Sequence, residues 1–149
     1  MTIQEKERAI VEEFSMFDDW MDKYAYLIEL GKELPMIDEK YKTNQYLITG
    51  CQSRAWLYAE LNDNGNVRFT ADSDAVITKG IISLLVKVLS GHNPKEILDA
   101  ELGFLEEIGL KEHLSPTRAN GLVSMVKQMH FYARAFQLKS NVKKLKRDE

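Results

Sequence analysis

The stretch "DSDAVITKGIISLLVKVLSGHNP", Asp72 to Pro94, constrains the fold more than any other part of this chain. Between Ala75 and Leu89 it is apolar nearly all round at helical spacing, so the helix it predicts has no face to leave in water and must be central to a core. Ser73 or Asp74 is placed to cap its start. Gly91 stops it, and Asn93-Pro94 opens a new turn with proline at the first helical position. Thr78, Lys79, Gly80, Ser83 and Lys87 interrupt the run, leaving it too short and too polar to span a bilayer. A length of 149 residues suits one domain able to bury most of its chain. We read residues 1–149 as that domain, with 139–149, locally basic, as a frayed tail.

The surroundings of this helix follow from period. "IQEKERAIVEEFSMFDDWMDKYAYLIELGKEL" places Ile10, Phe14 and Phe17 on one stripe and Trp20, Tyr24, Leu27 and Leu30 on another. It reads as two helices with a break near Ser15–Asp19, ended by Gly31 and Pro35. From Asn44 the period shortens. "NQYLITG", "SRAWLYAELN" and "GNVRFTAD" are rich in aromatic and β-branched residues, and "NDNG" between the last two is a strong hairpin signal. Ala55, Leu57, Ala59 and Leu61 share one face, as do Val67, Phe69 and Ala71. These segments predict a small antiparallel sheet of three strands, with Gly50–Ser53 joining the first two. "ILDAELGFLEEIGL" supplies short helices. Ser115 and Pro116 then start a last helix whose stripe is Leu122, Met125, Met129, Tyr132 and Phe136. The fold class is α+β, a three-stranded sheet packed against helices.

A formal charge of −3 gives no basic footprint for nucleic acid. No apolar run follows a basic start, so no secretory signal is expected and no membrane partner. The single cysteine, Cys51, excludes an internal disulfide, a CxxC pair and a four-thiolate cluster, and suits a reducing cytoplasm. His92, His113 and His130 show no metal-ligand spacing, so no metal site is expected.

A lone cysteine is usually a small buried hydrophobe. The context of Cys51 argues for chemistry instead. It follows Gly50, where the backbone can turn sharply, and its neighbours Thr49, Gln52 and Ser53 are polar hydrogen-bonders. Such donors and a nearby cation would favour the thiolate, the nucleophilic form. Arg118 is the second oddity. It falls in the first turn of the last helix, where the macrodipole disfavours a cation. It is either a plain exposed arginine or one that faces an anion or a partner. Asp72 and Asp74, flanking Ser73, need only be capping carboxylates. A cysteine–histidine hydrolase built from Cys51 and His113 is a further alternative, although the usual protease signatures are absent.

Taken together, "ITGCQSRAW", "DSDAVITKGI" and "LSPTRANGL", with "YLIELGKELP" upstream, resemble the SufE family of sulfur acceptor proteins. The four motifs occur in the family's order across nearly the whole chain. One departure is Ala55, where the family more often has valine. The resemblance implies a compact α+β fold similar to the IscU scaffold proteins. It also implies a SufS-type cysteine desulfurase as partner, an enzyme that uses pyridoxal phosphate to strip sulfur from L-cysteine. The chain itself would be no enzyme and would need no cofactor. Cys51 matches the family's acceptor cysteine. It would take sulfur as a persulfide, stimulate the desulfurase by unloading it, and pass the sulfur to a SufB-containing scaffold. Gly50, Gln52 and Ser53 would support the turn, Arg118 matches a characteristic arginine, and Asp74 would contribute to the partner-facing surface. A homodimer is left open, and an IscU-like cluster scaffold is the competing reading. A lone thiol suits a carrier, because a resolving thiol nearby would discharge the sulfur as a disulfide.

Overall fold

A computed structural model describes residues 1–50 and 53–148; the expectations for Cys51 and Gln52 lie outside the described residues. Two N-terminal helices, α1 (Ile3–Ser15) and α2 (Trp20–Gly31), precede strands β1 (Ala55–Leu61) and β2 (Val67–Ser73). Helices α3 (Val76–Leu89), α4 (Pro94–Asp99), α5 (Phe104–Glu107) and the long α6 (Pro116–Asp148) follow. The breaks fall where local chemistry places them. Asp19 accepts the Asp22 amide to cap α2, Asn93 and Glu96 form a capping box on α4, and Ser115 accepts the Arg118 amide at the start of α6.

Helix α3 is the centre of the fold, and nine of its residues are buried, from Gly80 to Leu89. It packs on α1, α2, α6 and β2, so it is enclosed from several sides as its apolar surface demands. The α2–α3 contact is made by backbone. A β-carbon on Gly80 would sit 2.3 Å from the Leu27 carbonyl oxygen, and one on Gly31 would sit 3.0 Å from the Gly80 nitrogen. Glycine here permits close approach of two helices, although both residues have ordinary helical backbones. The Ser83 hydroxyl then donates to the Leu30 carbonyl at 2.8 Å, satisfying one buried polar group within the same seam.

The inner face of the hairpin carries the residues expected of it. Ala55, Leu57, Ala59, Val67, Phe69 and Ala71 are all buried. The register pairs Ala55 with Ser73 and Leu61 with Val67. In this register the odd-numbered residues turn their backbone groups away from the ladder, and non-strand partners take them up. On β2, the Val67, Phe69 and Ala71 amides donate to His92 O, Ser90 Oγ and Pro35 O; the Val67 and Ala71 carbonyls accept from Gly91 and Ile37. On β1, Ala55 O accepts from the Ile48 amide and Leu57 O from the Tyr132 hydroxyl.

The sheet has two strands, where three were expected. In "NQYLITG" residues Asn44–Tyr46 form a 3₁₀ turn, and pairing is reduced to one bridge between Leu47 and Trp56. The Tyr46 and Leu47 amides bond back to Thr43 and Asn44, leaving only the Ile48 amide to reach the sheet. The turn brings Tyr46 edge-on to Tyr41 and Tyr58, with centroids 5.2 and 5.5 Å away, while Tyr41 stacks on Tyr58. Per contact, that packing contributes about as much as a ladder bond would.

The stripe expected of α6 is present: Leu122, Met125 and Met129 are buried, and Tyr132 and Phe136 pack against the same core. The helix continues through the basic segment to Asp148.

Gly80→Ala is expected to destabilise the protein by about 1–3 kcal/mol or more, because the clash is with backbone and neither helix can rotate a side chain away. A shift of the urea midpoint at unchanged slope measures this. An unaltered midpoint would show that α2 and α3 separate at no cost.

Candidate functional site

The open end of the hairpin meets the start of α3, and this is where the sequence placed its candidate residues. Gly50 ends the incoming segment with φ of +87°, a left-handed conformation that side chains disfavour. A β-carbon there would also lie 2.8 Å from the Ser124 hydroxyl of α6. Two constraints therefore select glycine: dihedral angle and space. On the far side of residues 51–52, the Ser53 hydroxyl lies 3.2 Å from the Thr78 hydroxyl in the first turn of α3. Gly50 thus lies close against α6, and Ser53 is bonded to α3.

Ser73 and Asp74 do not cap α3, contrary to expectation. The N-cap position is Ala75, which makes no side-chain capping bond. Ser73 donates its hydroxyl to Arg54 O and accepts the Ala75 amide. Asp74 accepts the Arg54 amide at 3.0 Å and returns its own amide to Arg54 O. Both residues tie the entry of β1 to the exit of β2. The positive end of the α3 dipole is left without a capping carboxylate beside Thr78 and Ser53.

Asp72 is no cap either. It is 8 % exposed and opposes Trp56 across the ladder. Its two oxygens pair with Lys42 at 2.6 Å and Lys79 at 3.3 Å. Lys42 Nζ also stands 5.8 Å from the Trp56 ring centroid and bonds Glu39. Burial works against the Asp72 charge, but the Lys42 hydrogen bond, the Ser73 amide and Lys79 outweigh it and hold the carboxyl below the usual range. Lys42 is raised in turn, first by its bond to Asp72 and then by Glu39. Nothing in the sequence marks this cluster: Lys42 lies in a non-periodic connection, and only the strand register shows that Asp72 faces away from the core.

Arg118 is exposed in the first turn of α6. It lies six residues before Ser124, about 9 Å along the helix axis at 1.5 Å per residue. His113 is stacked on Trp20 at 3.9 Å, and its Nδ1 lies 3.0 Å from the Gly109 carbonyl. Both nitrogen and ring face are thereby engaged in holding the α5–α6 connection. Among the described residues, no three His, Cys, Asp or Glu side chains are grouped to hold a metal ion. No helix among them is long and apolar enough to cross a membrane.

Asp72→Asn is expected to lower stability at neutral pH by about 1–3 kcal/mol, since Lys79 would lose its carboxylate and Lys42 would keep only the exposed Glu39. The sign of the pH dependence follows from the lowered carboxyl. Its contribution is fully present above the ordinary aspartate range and is lost as pH falls from there through the lowered folded-state value. Unfolding curves from neutral pH down to well below the ordinary aspartate value of ~3.9 should therefore converge for wild type and variant on acidification; a constant gap would contradict the assignment.

Comparison with known proteins bears on the whole of this region. A family described as "SufE: Fe-S metabolism associated domain" matches residues 8–133. A SufE-like protein of Rhizobium meliloti is 38% identical over 125 residues, covering 80% of this chain and 89% of its own. One from Rhizobium etli is 41% identical over 125 residues, covering 80% and 84%. The Arabidopsis thaliana SufE-like protein 1, chloroplastic/mitochondrial, is 40% identical over 134 residues, which are 90% of this chain and 36% of that protein. In fold, the chain is similar to the solution structure of a hypothetical protein from Thermus thermophilus. The TM-score is 0.74 at 22% identity, covering 89% of this chain and 96% of the other.

Proposed function

This chain belongs to the SufE family, Fe–S metabolism associated, which supports a role in iron–sulfur metabolism, and from that premise we propose that it carries sulfur on Cys51. The observation that supports this most directly is where the neighbours of the only cysteine are placed. Gly50 is left-handed against Ser124, and Ser53 is bonded to the uncapped start of α3. Neighbours so placed, at the junction of hairpin, α3 and α6, suit a thiol offered to another protein.

The reaction is thiol exchange. Cys51 loses its proton and the thiolate attacks the terminal sulfur of a persulfide on a SufS-type cysteine desulfurase. The new S–S bond forms as the old one breaks, and the desulfurase cysteine leaves as a thiolate that takes up a proton. The zero-valent sulfur changes carrier, and no external oxidant or reductant is needed. Unloading the desulfurase frees it for another turnover, which is stimulation. A SufB-containing scaffold is the proposed recipient, and the reducing cytoplasm the setting. The uncapped start of α3, bonded to Ser53, supplies local positive potential of the kind that favours a thiolate over a thiol. Arg118 and Asp74, both exposed, are assigned to partner contact.

The protein is incubated with a SufS-type desulfurase, pyridoxal phosphate and L-cysteine, then weighed intact. A gain of one sulfur atom is expected, absent in Cys51→Ser. Arg118→Ala should keep its fold and lower the stimulation of the desulfurase. Wild type that gains no sulfur, or an iron-dependent chromophore in its place, overturns the carrier reading; an unchanged stimulation curve removes Arg118 from it.

A further inference from the structure

No aspartate or glutamate occurs between Glu112 and Asp148, although the chain as a whole is acidic. Nearly all of α6 lies within this acid-free stretch. The helix also outruns the core: Phe136 is the last of its described residues packed there. From Phe131 onward a separate apolar line lies in water. Phe131, Leu138, Val142 and Leu145 are 65, 60, 50 and 66% exposed. With Ala135, which is half-buried, they recur at alternating intervals of four and three residues, the seam of a coiled coil. From Phe131 to Leu145 the seam runs about 21 Å, close to four turns.

Two further observations narrow what the seam accepts. Arg134 and Lys139, both exposed, occupy the positions that flank it, where partner charge is read. At its core-proximal end a cavity of about 890 Å³ opens between the hairpin and α6, with Tyr46, Tyr58, Phe131 and Tyr132 in its walls. We propose that this face of α6 is a docking site for an amphipathic helix of another protein, apolar at its own seam and acidic at its flanks, with a bulky side chain filling the tyrosine-lined cavity.

The charges argue against a second copy of this chain, since pairing α6 with itself sets basic flanks against basic flanks in either orientation. A seam of two positions in seven is also narrower than the broad apolar face that helices lay into a membrane surface. An acidic helix gains on both counts: it covers the stripe and neutralises Arg134 and Lys139.

The test uses the full chain and two synthetic four-heptad peptides with leucine and isoleucine at the seam, one flanked by glutamate and one by lysine. The glutamate peptide should bind saturably at one to one and at least about tenfold more tightly than the lysine peptide, a difference of about 1.4 kcal/mol. The triple variant Phe131→Ser, Leu138→Ser, Val142→Ser should lose that binding while its circular dichroism and thermal midpoint stay native. Arg134→Glu with Lys139→Glu should reverse the preference between peptides, which simple stickiness of the stripe would not. Failure of the glutamate peptide to bind, equal binding of both peptides, or binding untouched by the triple variant overturns the proposal. So does capture by vesicles of phosphatidylcholine and phosphatidylglycerol without peptide binding, which would assign the face to a membrane. A dimer in sedimentation that the triple variant dissociates would overturn it too, assigning the face to a second copy.

Discussion

The contact of Gly80 with the Leu27 carbonyl sets the separation of α2 and α3, and the rest of the molecule is arranged around that pair. Because α3 is apolar on most of its circumference, its position fixes where β2, α1 and α6 must lie to cover it. The hairpin rests on α3 through β2, so its open end falls at the first turn of the same helix. There Ser53 meets Thr78, while Gly50 meets Ser124 from the opposite side. The placement of Gly50 and Ser53, which flank Cys51 and Gln52 in sequence, thus traces back to a backbone contact made by two glycines elsewhere. The network at the open end is then a matter of charge. Asp72 is buried between two lysines and keeps its charge because they offset its desolvation.

Much of this was legible in sequence, for reasons that can be named. The core helix was readable because an apolar surface on all sides has one solution. The hairpin was readable because Asn-Gly supplies a backbone conformation that few other residues do, and Gly65 indeed has φ of +82°. Asn93, Pro94 and Ser115 acted as read, since capping depends on neighbours a few residues away. The misreadings all concern choices between partners distant in the chain. Residues 44–50 carry strand-forming side chains, but Tyr46 found two tyrosines to pack on, and the amides turned back on themselves. Ser73 and Asp74 stood in a capping position, and Arg54, close only through strand pairing, took them instead. Gly80 looked like a blemish in a helix because its purpose lies on another one.

The candidate site divides along the same line. Gly50, Ser53 and Asp74 are brought to one end of the molecule by the hairpin's open end. Arg118 is related to them through the helix that carries Ser124. Lys42, Asp72 and Lys79 were missed as a group because their association exists only once β1 and β2 are in register and the preceding connection has folded over Trp56. Family resemblance named the cargo, which geometry does not specify. Geometry supplied what the motifs do not state, that Gly50 lies against α6 and Ser53 is bonded to α3.

The two margins of the hairpin are unequally covered. On the β2 side the outward amides of Val67, Phe69 and Ala71 and the carbonyls of Val67 and Ala71 are bonded to loops and a serine; on the β1 side the Ala55 and Leu57 carbonyls are bonded to a loop amide and a tyrosine. A sheet this small would ordinarily invite a further strand from another chain, whether a legitimate ligand or a misfolded neighbour. Here that invitation is withdrawn over much of β2 and the first part of β1. A chain approaching either stretch finds the groups that would pair with it already engaged, so recognition or polymerisation there must first displace a loop, a serine or a tyrosine.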